Sequence, residues 1–473
     1  MSFRTFRRFA GLLATTATAA AIFVAWRGSS RPVVINQSFA TLAAILLSGA
    51  VAICSSLVFF LSDAFEPRFQ EFSERLRRLT PPTGNPLICF IVAAIAMGIH
   101  GELVHQQRPF KFAEYLDDEA DYLRVAKEIE ALPGGVGGLL PALVRGEFAE
   151  DNRHPLYPAL LAAGNELRIG DRPLILMPTL LSTSLGLFVF LATCVIAWKM
   201  FGPTVGALSG VLIAVNSAMI QASSLIACET LLVLLTTLGW YAFAASQTPM
   251  SWRRAILIGA LFGLAYLTKA SALFPLLIII GLTACHRANK PRWLAPTMMT
   301  LAFVLVASPL LTRNVVRYHN PLHSFNNKLL FAESYESGIA EPDLGAIGNL
   351  KRYLGRHTIK EIVVDRFFIG LMWEGFVLLR SLGPWPFDSG RALFGAVFLL
   401  AAVVGMTTAL GRKLAPVFLI FWTAWFLMFF GWYQPIASGD RFLLSLVPPL
   451  TIAASLGLSC LVTALSGGAK IPP

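Results

Sequence analysis

The chain has 473 residues, of which 38 are Lys or Arg and 27 Asp or Glu, so charged side chains make up 14% against about 25% in an ordinary soluble protein. With 56% hydrophobic residues and a mean hydropathy of +0.65, this composition excludes a soluble enzyme, a disordered chain, a collagen and a disulfide scaffold. The net charge of +11 fits basic helix ends on the cytoplasmic side of a membrane better than a nucleic-acid partner.

A spanning helix needs about 20 apolar residues. Apolar segments at 9–26, 39–61, 86–104, 173–198, 203–222, 227–246, 255–268, 271–285, 293–311, 391–411, 414–432 and 442–465 predict an all-α, polytopic membrane protein with about twelve transmembrane helices. The first segment follows Arg7 and Arg8 and ends at Val24-Ala25-Trp26. That end is a poor cleavage site, so a retained span is expected over a signal peptide. With the N-terminus inside, the cytoplasmic stretches hold Arg4, Arg7, Arg8, Arg68, Arg75, Arg77, Arg78, Lys199, Arg253, Arg254, Arg287, Lys290, Arg292, Arg412, Lys413 and Lys470. The short external turns hold only Arg27, Arg31, Lys269 and Arg441, which sets this orientation and an even number of spans. Cys54, Cys89, Cys194, Cys228, Cys285 and Cys460 lie in or beside apolar runs without CxxC spacing and read as small buried hydrophobes.

Two long connections, 105–172 and 312–390, then fall on the external face, where function is to be sought. In the first, Asp117 or Asp118 can start a helix, and Tyr122, Val125, Ala126 and Ile129 recur at helical spacing until Pro133-Gly134-Gly135. Gly134-Gly135 and Gly137-Gly138 read as a loop break. Asp117, Asp118 and Glu119 can satisfy the helix dipole and its backbone N–H groups, or supply a general base or oxygen ligands for a divalent cation. Asn152-Arg153-His154-Pro155-Leu156-Tyr157-Pro158 follows. Its Arg and His suit a phosphate, and its Arg and Tyr equally suit interfacial anchoring. In the second connection, Arg366, Glu374 and Arg380 share one side of an apolar stretch, which predicts a helix lying in the interface.

Glu229, Lys269, Arg313-Asn314 and Asp440-Arg441 all fall at the external ends of spans. A transporter is expected to hold such groups near the midplane. Collected at the rim, they suggest a site for an anionic lipid headgroup contacted by Arg153, Lys269, Arg313 and Arg441. There is no GxxxxGK[ST], HExxH, GxSxG or dinucleotide-binding glycine fingerprint, and no internal repeat.

Asp118-Glu119-Ala120-Asp121-Tyr122, then Arg153-His154-Pro155-Leu156-Tyr157-Pro158, resembles the polytopic GT-C glycosyltransferases, in particular the family 39-like group of protein O-mannosyltransferases and the aminoarabinose transferase of lipid A. Gly263 to Lys269, Ser308-Pro309 through Asn314, and Asp440-Arg441 with Pro448-Pro449 look like later landmarks, so the resemblance covers about 86–465. It implies transfer of a sugar, with inversion, from a polyprenyl-phosphate lipid to an acceptor hydroxyl on a lipid, glycan or protein. Asp118 would be the general base, beside Glu119. Arg153, His154, Lys269, Arg313 and Arg441 would hold the donor phosphate, and Tyr122, Tyr157, Asn314, Glu229 and Asp440 would line the substrate site. Arg153 stands where the aminoarabinose transferase has a Lys in Lys-Pro-Pro-Leu, with His154 in place of the first Pro, and the Asp117-Asp118 doublet leaves the register open by one. No cofactor is implied, with a divalent metal left open through Asp118, Glu119 and His154. The organisation expected is a two-helix extension with a basic loop at 1–85, a catalytic membrane domain at 86–465 and a short tail at 466–473. A bacterial inner membrane with a periplasmic site is expected. The competing readings are an O-antigen-type ligase or polymerase centred on Arg313, His319 and His323, a lipid or sugar transporter, and a binding scaffold without turnover.

Overall fold

The computed structural model describes residues 84–107, 117–166, 177–246, 250–285, 293–386, 390–409 and 415–465. The expected spans at 9–26 and 39–61, the basic loop and the tail lie outside the described residues. In chain order the helices are α1 Pro86–Gln107, α2 Asp117–Glu130, α3 Val136–Arg145, α4 Leu156–Glu166, α5 Met177–Phe201, α6 Pro203–Ala214, α7 Ser217–Ser224, α8 Glu229–Ala244, α9 Trp252–Thr268, α10 Leu273–Cys285 and α11 Leu294–Tyr318. They continue as α12 Phe325–Leu329, α13 Tyr335–Ala340, α14 Gly345–Arg356, a π-helical stretch Glu361–Phe368 running into α15 Ile369–Ser381, α16 Arg391–Ala409 and α17 Ala415–Tyr433. The last is α18, Asp440–Leu465, which contains a 3₁₀ turn at Leu444–Leu446.

Among the described residues six helices are long and apolar enough to cross a membrane: Pro86–Gln107, Pro178–Phe201, Leu294–Tyr318, Arg391–Ala409, Ala415–Tyr433 and Asp440–Leu465. Shorter apolar helices fill the bundle between them. The stretch 203–222, read as one span, breaks between α6 and α7, where Asn216 caps α7 by accepting the Met219 N–H at 2.9 Å. The chain turns again at Lys269, which is extended (φ −161°) between α9 and α10.

Cross-contacts fix which helix ends share a face. Arg391 at the start of α16 meets Asp440 at the start of α18, whereas Gly84 ahead of α1 donates to Thr204 at the start of α6 on the other face. A helix does form over the predicted 366–380, within the Glu361–Ser381 element, but Arg366 and Glu374, two of the three charged residues on its shared side, are buried in the protein. Arg366, near the element's start, donates to the Trp432 carbonyl at the end of α17, and Arg380 pairs with Asp440 at the start of α18.

Inside the bundle, packing replaces polar bonding. α17 is apolar all round, and its inner face is set by Phe418, Trp422, Phe426 and Phe430, whose rings follow one another at 5.3 to 5.7 Å. α16 and α18 cross where Gly405 and Gly457 leave no room for a Cβ beside the carbonyls of Ala453 and Ala401. Small residues let helix backbones approach where lipid supplies no hydrophobic drive. Gly405→Val is therefore expected to cost about 1–3 kcal/mol by overpacking, read as a lower unfolding temperature in detergent; an unchanged transition would mean the crossing is loose.

Candidate active site

Helix α2 is amphipathic, and its Tyr122, Val125, Ala126 and Ile129 are buried against α4 and α8. It ends before Gly134 and Gly135, both at positive φ (90° and 58°), a backbone open to glycine at little cost. This packing turns the start of α2 toward the ends of the spans. Asp118 there forms ion pairs with two guanidiniums, Oδ1 with Arg153 and Oδ2 with Arg441, the latter 323 residues away in sequence. Burial works against the carboxylate, but Arg441 and then Arg153 outweigh it and bring Asp118 down to about 2. The group is ionised at neutral pH, with both oxygens engaged. The side chain of Asp117 lies outside the described residues.

Arg153 is held on all sides. Its Nη2 also reaches Asp121 at 3.2 Å, and its guanidinium lies 4.9 Å from the Tyr122 ring. Its Nε is buried without a hydrogen-bond partner, a donor left open in the site. The Glu150 carboxylate accepts the N–H groups of Asn152 and Arg153 at 2.8 and 2.9 Å and pairs with Arg124 at 2.9 Å. Glu150 is thus the residue that presents Arg153, and sequence reasoning missed it. Its one signal was an acid two and three residues ahead of donors in a proline-bounded turn.

The remaining predicted residues fall into three groups. Glu229 and Lys269 form a pair at 2.9 Å, and Lys269 and Arg441 lie 5.1 and 5.0 Å from the Phe442 ring, which joins them to the Asp118 cluster. The Oε2 of Glu229 is buried and unpartnered, a second open valence. Asp440 turns away from Arg441's partner and takes Ser381, Arg380 and Arg391 at 3.3 to 3.5 Å. Arg313 donates to the Glu150 carbonyl and, at 2.8 Å, to Asn314, while Asn314 donates to the carbonyls of Pro321 and His323 at 3.0 Å. These two brace the first connection against the second. Of the other ligase residues, His319 is the left-handed cap of α11 (φ 54°). His323 stacks on Tyr318 at 3.7 Å and meets Asp151 at 3.2 Å, an acid–histidine pair that the sequence reading did not anticipate.

Three residues are turned inward. Glu119 is buried and accepts the Ile226 N–H at 2.8 Å. Tyr122 donates to Cys228 Sγ at 2.9 Å, and Tyr157 shares a 2.6 Å bond with Ser182. Burial holds the Tyr122 hydroxyl well above the usual phenol range, so it stays a donor. Cys89, Cys194, Cys228 and Cys460 are buried thiols, and Cys285 is exposed.

His154 is neutral rather than cationic. Burial lowers it to about 4, against the opposing effect of its bond to the Tyr266 carbonyl. That bond requires the proton on Nδ1, so His154 offers Nε2 as an acceptor and no charge to a phosphate. Its linkage has a definite sign: above 6.5 both folded and unfolded forms are neutral. Between 6.5 and 4 only the unfolded chain takes up a proton. Stability should therefore fall by about 3 kcal/mol over that window. Denaturation in detergent at a series of pH values should show this decline, and His154→Gln should flatten it; an unflattened curve would assign the decline to other groups. Asp118, Glu119 and His154 do not converge on one point, and among the described residues no three His, Cys, Asp or Glu side chains could hold a metal ion together.

Residues 152–312, from the turn that carries Arg153 to Thr312 within α11, match the family model described as dolichyl-phosphate-mannose-protein mannosyltransferase. The match covers 161 of the 473 residues. No curated protein matches the chain. Among solved structures, the chain is similar to ArnT from Cupriavidus metallidurans bound to undecaprenyl phosphate, with 13% identity, a TM-score of 0.49, and 82% of this chain and 64% of that one covered. It is also similar to the archaeal oligosaccharyltransferase AglB from Archaeoglobus fulgidus, in complex with an inhibitory peptide and a dolichol-phosphate, with 13% identity, a TM-score of 0.46, and coverage of 81% and 52%. The chain thus spans less than two thirds of the length of either.

Proposed function

We propose that the protein transfers a sugar from a polyprenyl-phosphate donor to an acceptor hydroxyl at the membrane face that holds Asp118. The observation that carries this reading is the carboxylate of Asp118 fixed between Arg153 and Arg441, at the point where the first connection meets the last span. A donor phosphate brings a second anion to the same two guanidiniums. As the phosphate takes up Arg153 and Arg441, the Asp118 oxygens are released and the carboxylate regains basicity. It then accepts the proton of the acceptor hydroxyl. The acceptor oxygen attacks the anomeric carbon from the side opposite the phosphate, the bond from that carbon to the phosphate oxygen breaks, and configuration inverts. The electron pair leaves on the lipid phosphate, where preorganised cations stabilise the charge. The open Nε of Arg153 and Oε2 of Glu229 remain to bond the phosphate and a sugar hydroxyl. The placement in a bacterial inner membrane with the site toward the periplasm follows the same family resemblance.

The test is release of free polyprenyl phosphate from native lipid-linked sugars by the purified protein, with a cell-envelope extract as acceptor source, carrier and sugar both followed by mass spectrometry. Release by the wild type supports the transferase and names the donor. Binding of the lipid without release would favour a scaffold, and movement of intact lipid-linked sugar between leaflets a transporter.

A further inference from the structure

Helix α14 has two unlike sides. Asn349 and Tyr353 are buried, and the Tyr353 ring lies 4.7 Å from the Arg366 guanidinium, which in turn lies 4.6 Å from the Trp432 ring at the end of α17. That clamp fixes the helix to the bundle by one side. On the other, Leu344, Ile347, Lys351 and Leu354 fall within roughly 80° of arc, and Ile347 is 71% exposed. The exposed apolar surface continues beyond the helix to Ile359, at 80%, and Val363, in the π-helical stretch packed along α17. Residues 344–363 also carry four cations, Lys351, Arg352, Arg356 and Lys360, and one acid, Glu361; Arg352 and Arg356 share the Glu341 carboxylate just ahead of the helix at 3.2 and 2.5 Å. Glu361 is itself bonded to Thr358.

We infer that the 344–363 segment docks on the anionic headgroup layer of the bilayer, with Leu344, Ile347, Leu354 and Ile359 in the acyl boundary and its cations among the lipid phosphates. Aliphatic side chains this exposed are costly in water, and an apolar stripe flanked by Lys and Arg is the pattern of a helix lying in a charged interface. The segment runs directly into an element packed along a spanning helix, so the bilayer surface is within its reach. Each cation near an anionic surface contributes about fivefold in affinity at physiological salt.

The test uses the full-length protein in nanodiscs, with a nitroxide on Ile347→Cys in a Cys285→Ser background and, as reference, on Glu336→Cys of the neighbouring helix. The Cys285→Ser chain carried through labelling is the blank. In discs containing phosphatidylglycerol, the label at 347 is expected to lose access to a water-soluble nickel chelate and gain access to oxygen, while the label at 336 does the reverse. Replacing Lys351, Arg356 and Lys360 by Gln should return the 347 label to water in these discs. Equal nickel access at both sites would overturn the inference. So would protection at 347 that is indifferent to lipid charge and to the three Gln replacements, or that arises only when an acceptor protein is added, which would assign the face to a protein partner.

Discussion

Asp118→Asn is expected to lower transfer by about 10²–10⁴-fold, the range for loss of a positioned base, while leaving the protein folded. The amide keeps the shape of the carboxylate but cannot take a proton, and it does not hold Arg153 and Arg441 as an anion does. Phosphate and Asp118 compete for the same guanidiniums, so affinity for the free lipid phosphate should rise in the variant while turnover collapses. A general loss of structure would lower both. Polyprenyl phosphate binding and single-turnover release, measured on the same preparation, separate these cases. If turnover survives, Asp118 is not the base, and the Asp117 register or the Asp151–His323 pair becomes the place to look.

Arg366→Met is expected to be the most damaging substitution outside the cluster, at about 3 kcal/mol or more. Arg366 donates to the carbonyls of Ala332, Leu330 and Trp432 at 2.7, 3.1 and 3.1 Å and lies between the Tyr353 and Trp432 rings. Methionine fills the volume but leaves the Ala332 and Trp432 carbonyls without this donor, and each buried carbonyl so left costs about 1–3 kcal/mol. Leu330 keeps the Trp432 indole N–H at 2.8 Å. Loss of the cation between two rings adds about 0.5–2 kcal/mol. Limited proteolysis should then cut the second connection near 330–357 before the spans unfold. A protease pattern like that of the wild type, with an unchanged unfolding temperature, would show that the connection is held by its other contacts.

Arg366 also shows how far a sequence carries such a connection. A single arginine in an apolar stretch reads as a point on an interface helix, and a helix does form at Glu361–Ser381, with Arg366 buried. That the guanidinium points into the protein and bonds three carbonyls depends on where α12, α14 and α17 come to rest. None of those positions has a local signature.

Much of the architecture was nonetheless written locally. Low charge and long apolar runs determined a helical membrane protein, because only helices and closed barrels satisfy backbone groups in lipid. The 3.6-residue period of Tyr122, Val125, Ala126 and Ile129 determined a short helix and its buried side, and positive-φ glycines determined its end. The gathering of Glu229, Lys269, Arg313 and Arg441 at span ends was legible because charge is costly in the bilayer. Tertiary structure alone decided their partners. Arg441 meets Asp118 across 323 residues, Arg313 braces a backbone carbonyl, and Glu119, next to Asp118, faces Ile226. On α17, apolar all round, periodicity carries no information, so the choice of Phe418, Trp422, Phe426 and Phe430 as the inner face was made by packing. Hydrophobicity places a residue in or out of lipid, but charge pairing at the rim depends on helix crossings set by close contacts such as Gly405 with Ala453, which no local pattern encodes.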